Sequence, residues 1–127
     1  MTARRLGVWI AAGLVVLGSG AARAAGDAAA GEKVFNKCKV CHSVEDHKNK
    51  IGPYLTGVVG RKAGTAEGYN YSEAMKDSGI VWDEANLDKY LAHPKEVVPH
   101  TKMAFIGLPK EEDRQNVIAY LQSVSAK

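Results

Sequence analysis

Cys38-x-x-Cys41-His42 places two thiols about one helical turn apart and follows them at once with an imidazole. That is the arrangement for two thioether bonds to the vinyl groups of a haem, with the histidine ligating its iron. A zinc site would want a second ligand pair at finger-like spacing, whereas His47, His93 and His100 are unclustered. A thiol redox pair belongs after a strand in a β-α-β unit, which the chain lacks, and two cysteines make no disulfide scaffold. One covalent haem c, held by Cys38 and Cys41 with His42 as an axial ligand, is therefore the expected cofactor. For the other axial position the candidates are the thioethers Met75 and Met103 and the three remaining histidines. Met103 is favoured, because it falls in a loop with Thr101, Lys102 and Phe105 that could cross the haem face opposite His42. Met75 falls on a predicted helix, where methionine more commonly fills core, and the three histidines read as surface residues.

The elements that must carry this motif follow from periodicity. Asp27 can cap a first helix whose apolar stripe, Val34, Phe35 and Cys38, runs on into the cysteine motif. From 43 to 71 the glycines are too closely spaced for a long regular element. A short helix is expected over 72–77, stopped by Gly79, then an extended link at Ile80-Val81-Trp82. Asp83 caps a helix over 84–92 with Leu87, Tyr90 and Leu91 on one face, ending near His93 because Pro94 follows. An irregular loop with Pro94, Pro99, Met103 and Phe105 comes next. The last helix starts near Pro109, with Glu111, Glu112 and Asp113 at its positive end and Val117, Ile118, Tyr120, Leu121 and Val124 at helical spacing. The expectation is an all-α protein of three main helices plus short ones. Loops of roughly 25 residues in so small a domain need something to wrap around.

The chain has 127 residues, 46% hydrophobic and 24% charged, an ordinary globular balance. Arg4-Arg5, an uncharged run over 6–22 and Ala22-Arg23-Ala24 read as a secretory signal peptide over 1–24, cleaved to leave 25–127 as one domain in the periplasm. The rival is a retained anchor, but the run is interrupted by four glycines and falls just short of a bilayer span. The formal charge is +3; without Arg4, Arg5 and Arg23 the 17 basic residues become 14, matching the 14 acidic ones. A neutral mature chain excludes nucleic-acid binding, which needs a basic excess.

Further along stand Gly52-Pro53-Tyr54-Leu55, Gly57-Val58-Val59-Gly60-Arg61-Lys62, Gly68-Tyr69-Asn70-Tyr71, Trp82, Tyr90-Leu91, Pro94-Lys95, Pro99-His100-Thr101-Lys102-Met103 and Ile118-Ala119-Tyr120-Leu121. In order and spacing these, with the haem motif, resemble the class I cytochromes c, nearest the mitochondrial cytochrome c and bacterial cytochrome c2 subgroup, from Gly26 to the last helix. The resemblance implies the class I cytochrome c fold, with Cys38 and Cys41 holding the porphyrin and His42 and Met103 as axial ligands. It also implies that the Pro53 carbonyl accepts the outer N–H of His42, that Tyr90 bonds near the Met103 sulfur, and that Arg61, Tyr71 and Trp82 surround a haem propionate. Gly31, Phe35 and Tyr120 would form the crossing of the first and last helices. Two positions depart from the pattern: Met75 stands where the family commonly has an asparagine beside an internal water, and His100 where it commonly has glycine.

Six filled iron positions leave none for oxygen, peroxide or substrate, so the expected activity is electron transfer and not catalysis. The implied partners are membrane redox complexes, a cytochrome bc complex and a cytochrome oxidase or photosynthetic reaction centre, met by a monomer through transient docking. Lys37, Lys39, Lys50, Lys95 and Lys102 flank the motifs expected to rim the haem edge. The alternatives are a haem enzyme or ligand sensor whose methionine lets go of iron, and a haem subunit dedicated to one dehydrogenase.

Overall fold

Asp27 has the short acceptor side chain that a helix start requires, and it takes the amides of Ala29 and Ala30 at 2.9 and 3.3 Å to open α1 (Ala28–Phe35). The computed structural model describes residues 26–125 and the isolated Gly13, so the expected leader lies, apart from Gly13, outside the described residues. α1 stops short of the cysteine motif, where the sequence reading ran it onward. The Lys37 and Cys38 amides bond back only three residues, to Val34 and Phe35 at 3.1 and 2.7 Å, and both Cys41 and His42 return to the Cys38 carbonyl at 3.0 Å. The reason is loss of a buried face: beyond Phe35 come exposed Asn36, Lys37 and Lys39 and a Val40 that is 67% exposed.

α2 (Glu73–Asp77) opens on Ser72, whose hydroxyl accepts the Met75 amide at 3.2 Å, and Gly79, at φ +66°, turns the chain away after it. The link at 80–82 is extended as expected and pairs with 60–63. Trp82 N–H donates to the Arg61 carbonyl at 2.9 Å and Ala63 N–H to that of Ile80 at 2.7 Å, an isolated antiparallel bridge and not a strand. α3 (Glu84–Ala92) is capped by Asp83 on the Asn86 amide at 2.8 Å and ends at His93. α4 (Pro94–Val97) corrects the reading of this stretch as irregular. Proline at the first helical position has φ preset and no N–H to lose, and Val98 N–H closes the turn on the Pro94 carbonyl at 3.0 Å. α5 (Glu111–Ser125) begins two residues after Pro109 with three acidic residues in its first turn.

α1 crosses α5 at Gly31, where a Cβ would meet the Asn116 carbonyl carbon and, at 2.9 Å, the Tyr120 Cβ. Phe35 and Tyr120 stack beside the crossing with ring centres 5.3 Å apart, and the Asp27 amide donates to the Asn116 side chain at 2.9 Å. Leu108, Ile118, Val98 and Val117 are almost wholly buried. Arg114 ties α5 to α3 through Asp88 at 2.8 Å and to the carbonyls of Leu108 and Pro109 at 2.8 and 3.1 Å. No helix among the described residues is long and apolar enough to cross a membrane.

Candidate haem site

A cavity of about 330 Å3 opens between α1, α2, α3, α5 and the connecting segments, with Phe35, Leu55, Val58, Leu87, Val117 and Leu121 among its apolar walls. All nine residues singled out from the sequence border it: Cys38, Cys41, His42, Pro53, Arg61, Tyr71, Trp82, Tyr90 and Met103. His47, His93 and His100 do not. His47 lines a separate open groove with Glu32, Glu45 and Tyr120, and His93 sits between α3 and α4.

His42 is fixed from behind. Its Nδ1–H donates to the Pro53 carbonyl at 2.7 Å, which leaves Nε2 as the nitrogen with the lone pair. Burial lowers the His42 pKa more than the Pro53 bond raises it, and Arg61 and Lys50 lower it further, so the ring is held neutral, the form that binds a metal. Gly52 lies flat against the same ring: a Cβ there would meet Nδ1 and Nε2 at 2.8 and 2.9 Å. Cys38 and Cys41 are free thiols, and burial, helped by Cys41 and opposed by Lys37, pushes the Cys38 pKa up.

Arg61 is anchored by Nη2 to the Tyr54 carbonyl at 3.0 Å and by Nη1 to that of Thr56 at 3.4 Å, its guanidinium 5.1 Å above the Tyr54 ring. Its Nε is buried and has no partner among the described residues. Tyr71 accepts the Ala66 amide at 3.0 Å, and buried Trp82 lies against Tyr90 with ring centres 4.9 Å apart. The Tyr90 hydroxyl shares a 3.0 Å hydrogen bond with the Thr101 hydroxyl, which in turn accepts the Met103 amide at 3.3 Å. Tyr90 thus holds the loop that carries Met103. Thr101 is the residue the sequence reading undervalued, although it stood in the Thr101-Lys102-Met103 triplet.

The comparisons with known proteins decide the lineage. The family model for cytochrome c matches residues 28–125. This chain belongs to the cytochrome c family. It is 54% identical over 110 residues to cytochrome c2 of Rhodomicrobium vannielii, covering 86% of this chain and 88% of that one. Cytochrome c-554 of Methylosinus trichosporium is 57% identical over 109 residues, 85% of this chain and 83% of the relative. Among solved structures, cytochrome cH from Methylobacterium extorquens superposes with a TM-score of 0.74 at 54% identity, over 77% of this chain and 99% of that one. The largely helical fold without strands among the described residues is that of a class I cytochrome c.

The residues present fit the family's haem. Two free thiols at the cavity wall, a neutral imidazole oriented by a backbone carbonyl, apolar walls and an orphaned cationic N–H are a donor set for covalent attachment, iron ligation and a propionate. The cofactor is haem c, bound covalently through Cys38 and Cys41, and this cytochrome is an electron carrier and not an enzyme.

Proposed function

We propose that the protein shuttles single electrons in the periplasm between membrane redox complexes, such as a cytochrome bc complex and an oxidase or photosynthetic reaction centre. In this reading His42 Nε2 and the Met103 sulfur would hold the haem iron, and residues 25–127 are the mature domain behind a cleaved leader over 1–24. The observation that carries it is the composition of the cavity wall. His42 is committed to Pro53 through Nδ1, no spare histidine lines the cavity, and Met103 borders it on a loop restrained by Thr101 and Tyr90.

Haem c supplies a one-electron iron(III)/iron(II) couple. The chain's part is to keep the ligands in place between the two states, so that little reorganises when the electron moves. A soft thioether favours iron(II), and apolar walls penalise the extra charge of iron(III); both raise the potential. Arg61 Nε, buried without a partner among the described residues, and the Tyr71 hydroxyl would pair with a propionate, beside Trp82. Lys37 and Lys102 border the cavity, Lys39 and Lys95 are exposed on adjoining segments, and together they form the proposed docking rim.

The test is the absorption spectrum of the ferric holoprotein. The weak near-infrared band of sulfur-to-iron(III) ligation is expected, with no binding of carbon monoxide to the reduced protein at neutral pH. A five-coordinate ferric spectrum, or ready carbon monoxide binding, would overturn the carrier reading in favour of a haem enzyme or sensor.

A further inference from the structure

Two thioethers, not one, border the cavity, and they enter it from elements with different footing. Met103 hangs on the segment from Val98 to Leu108, which has no helix and is solvent-lapped along Lys102, Ala104 and Ile106, the last 91% exposed. His100, at φ +61°, makes that segment strained at its root. Met75 is 9% exposed and sits on α2 with both backbone polar groups engaged, its amide on the Ser72 hydroxyl at 3.2 Å and its carbonyl receiving the Ser78 hydroxyl at 2.8 Å. Gly64 backs this turn closely enough that a Cβ there would lie 3.3 Å from the Met75 carbonyl.

We propose that Met75 is a reserve ligand: when the Val98 to Leu108 segment lifts and takes Met103 with it, the Met75 sulfur binds the haem iron and keeps it six-coordinate. The inference rests on the reading of Met103 as the resident ligand. A methionine side chain has three rotatable bonds and a polarisable sulfur, so it can change partner while its backbone stays fixed. The other neutral or basic donors at the cavity are worse placed. Lys102 leaves with the segment, Lys37 is exposed beside Cys38, the thiols of Cys38 and Cys41 are consumed by haem attachment, and burial raises the pKa of Tyr71 and Tyr90 so that both phenols keep their protons. A thioether needs no deprotonation, so the exchange from Met103 to Met75 makes and breaks one Fe–S bond with no proton released.

The experiment uses ferric holoprotein carrying Met103→Ala, with Met103→Leu as a volume-matched second variant should the alanine protein not retain a folded haem pocket. The expected result is a retained near-infrared sulfur-to-iron band and a low-spin spectrum, both lost on adding Met75→Leu. Added imidazole should bind the double variant at least about tenfold more tightly than the single one, since no internal ligand then competes. Loss of the band in Met103→Ala and Met103→Leu alone overturns the reserve role while leaving Met103 as resident ligand. If instead Met75→Leu alone abolishes the band and Met103→Ala does not, Met75 is the resident ligand, and both readings fall.

Discussion

A methyl group at Gly52 would press into the His42 ring, so Gly52→Ala must displace either the imidazole or the loop that carries Pro53. Overpacking of this kind costs about 1–3 kcal/mol. The expected outcome is a lower urea midpoint together with an altered visible spectrum, whereas a merely structural clash elsewhere would move the midpoint alone. His100 has the opposite prospect. Its left-handed φ of +61° costs an ordinary residue about 1–2 kcal/mol, and glycine gives back about 0.5–1 kcal/mol in unfolded freedom. His100→Gly should therefore stabilise the holoprotein by roughly 0.5–1 kcal/mol, read as a raised midpoint with an unchanged denaturant slope. Tyr90 supplies a pH signature. Burial, only partly offset by the Thr101 bond, raises its folded pKa above that of the unfolded chain. The unfolded state then sheds its proton first as pH rises, so the folded state binds more protons and stability falls from about pH 10 upward. Tyr90→Phe should flatten that alkaline decline and cost about 1 kcal/mol at neutral pH through the lost hydrogen bond, checked by urea titrations at several pH values. The resemblance pointed to Tyr90 and the Met103 loop, yet not to the hydroxyl that Tyr90 takes as partner. A motif shared along a chain puts a hydroxyl near a loop without saying that Thr101 will take it.

The helices differ in how far their sequence announces them. α3 was readable to the residue, because Asp83 caps it, three apolar residues share a face and Pro94 bars its continuation. α4 escaped notice, since four residues carry no periodicity and a proline reads equally as a breaker and as a helix start. The end of α1 was misplaced for a related reason: Cys38 extended the apolar stripe on paper, but it turns towards the haem cavity and not along the helix seam. Val117 and Leu121 were read as core-facing, and they are also cavity wall, a distinction invisible without the third dimension. The α1–α5 crossing yields the sharpest test at this level. A Cβ at Gly31 would collide with the Asn116 backbone, which no rotamer change can relieve. Gly31→Ala should cost about 3 kcal/mol, the upper end for overpacking, seen as a large fall in the thermal midpoint of the holoprotein. Gly57→Ala, at a position with open space but φ +71°, provides a control in which strain acts without collision.

Charge belongs to the protein as a body. With the leader gone the proposed mature chain is formally neutral, so attraction to a partner must come from asymmetry: lysines beside the haem cavity, and Glu111, Glu112 and Asp113 at the start of α5. Two of the lysines are partly committed, Lys50 to the Lys39 carbonyl at 2.8 Å and Lys102 to that of Asn70 at 2.7 Å, yet their charge remains at the surface. Reduction by a bc-type complex should slow steeply as ionic strength rises. Lys37→Glu should lower the rate at low salt by about tenfold and flatten that dependence, as stopped-flow kinetics would show; a salt-independent rate would mean that the lysines are ordinary solvated surface.

The first and last helices are each other's principal support, joined at Gly31 and by the Asp27 to Asn116 bond across 89 positions. A polypeptide growing from the ribosome therefore lacks half of its central contact until its final turn of helix has been made. Long-range closure of this kind is slow and comes late. In this reading the exported chain should remain pliable and susceptible to protease until haem is attached at Cys38 and Cys41, and acquire resistance abruptly once the helix bearing Tyr120 has closed on Gly31.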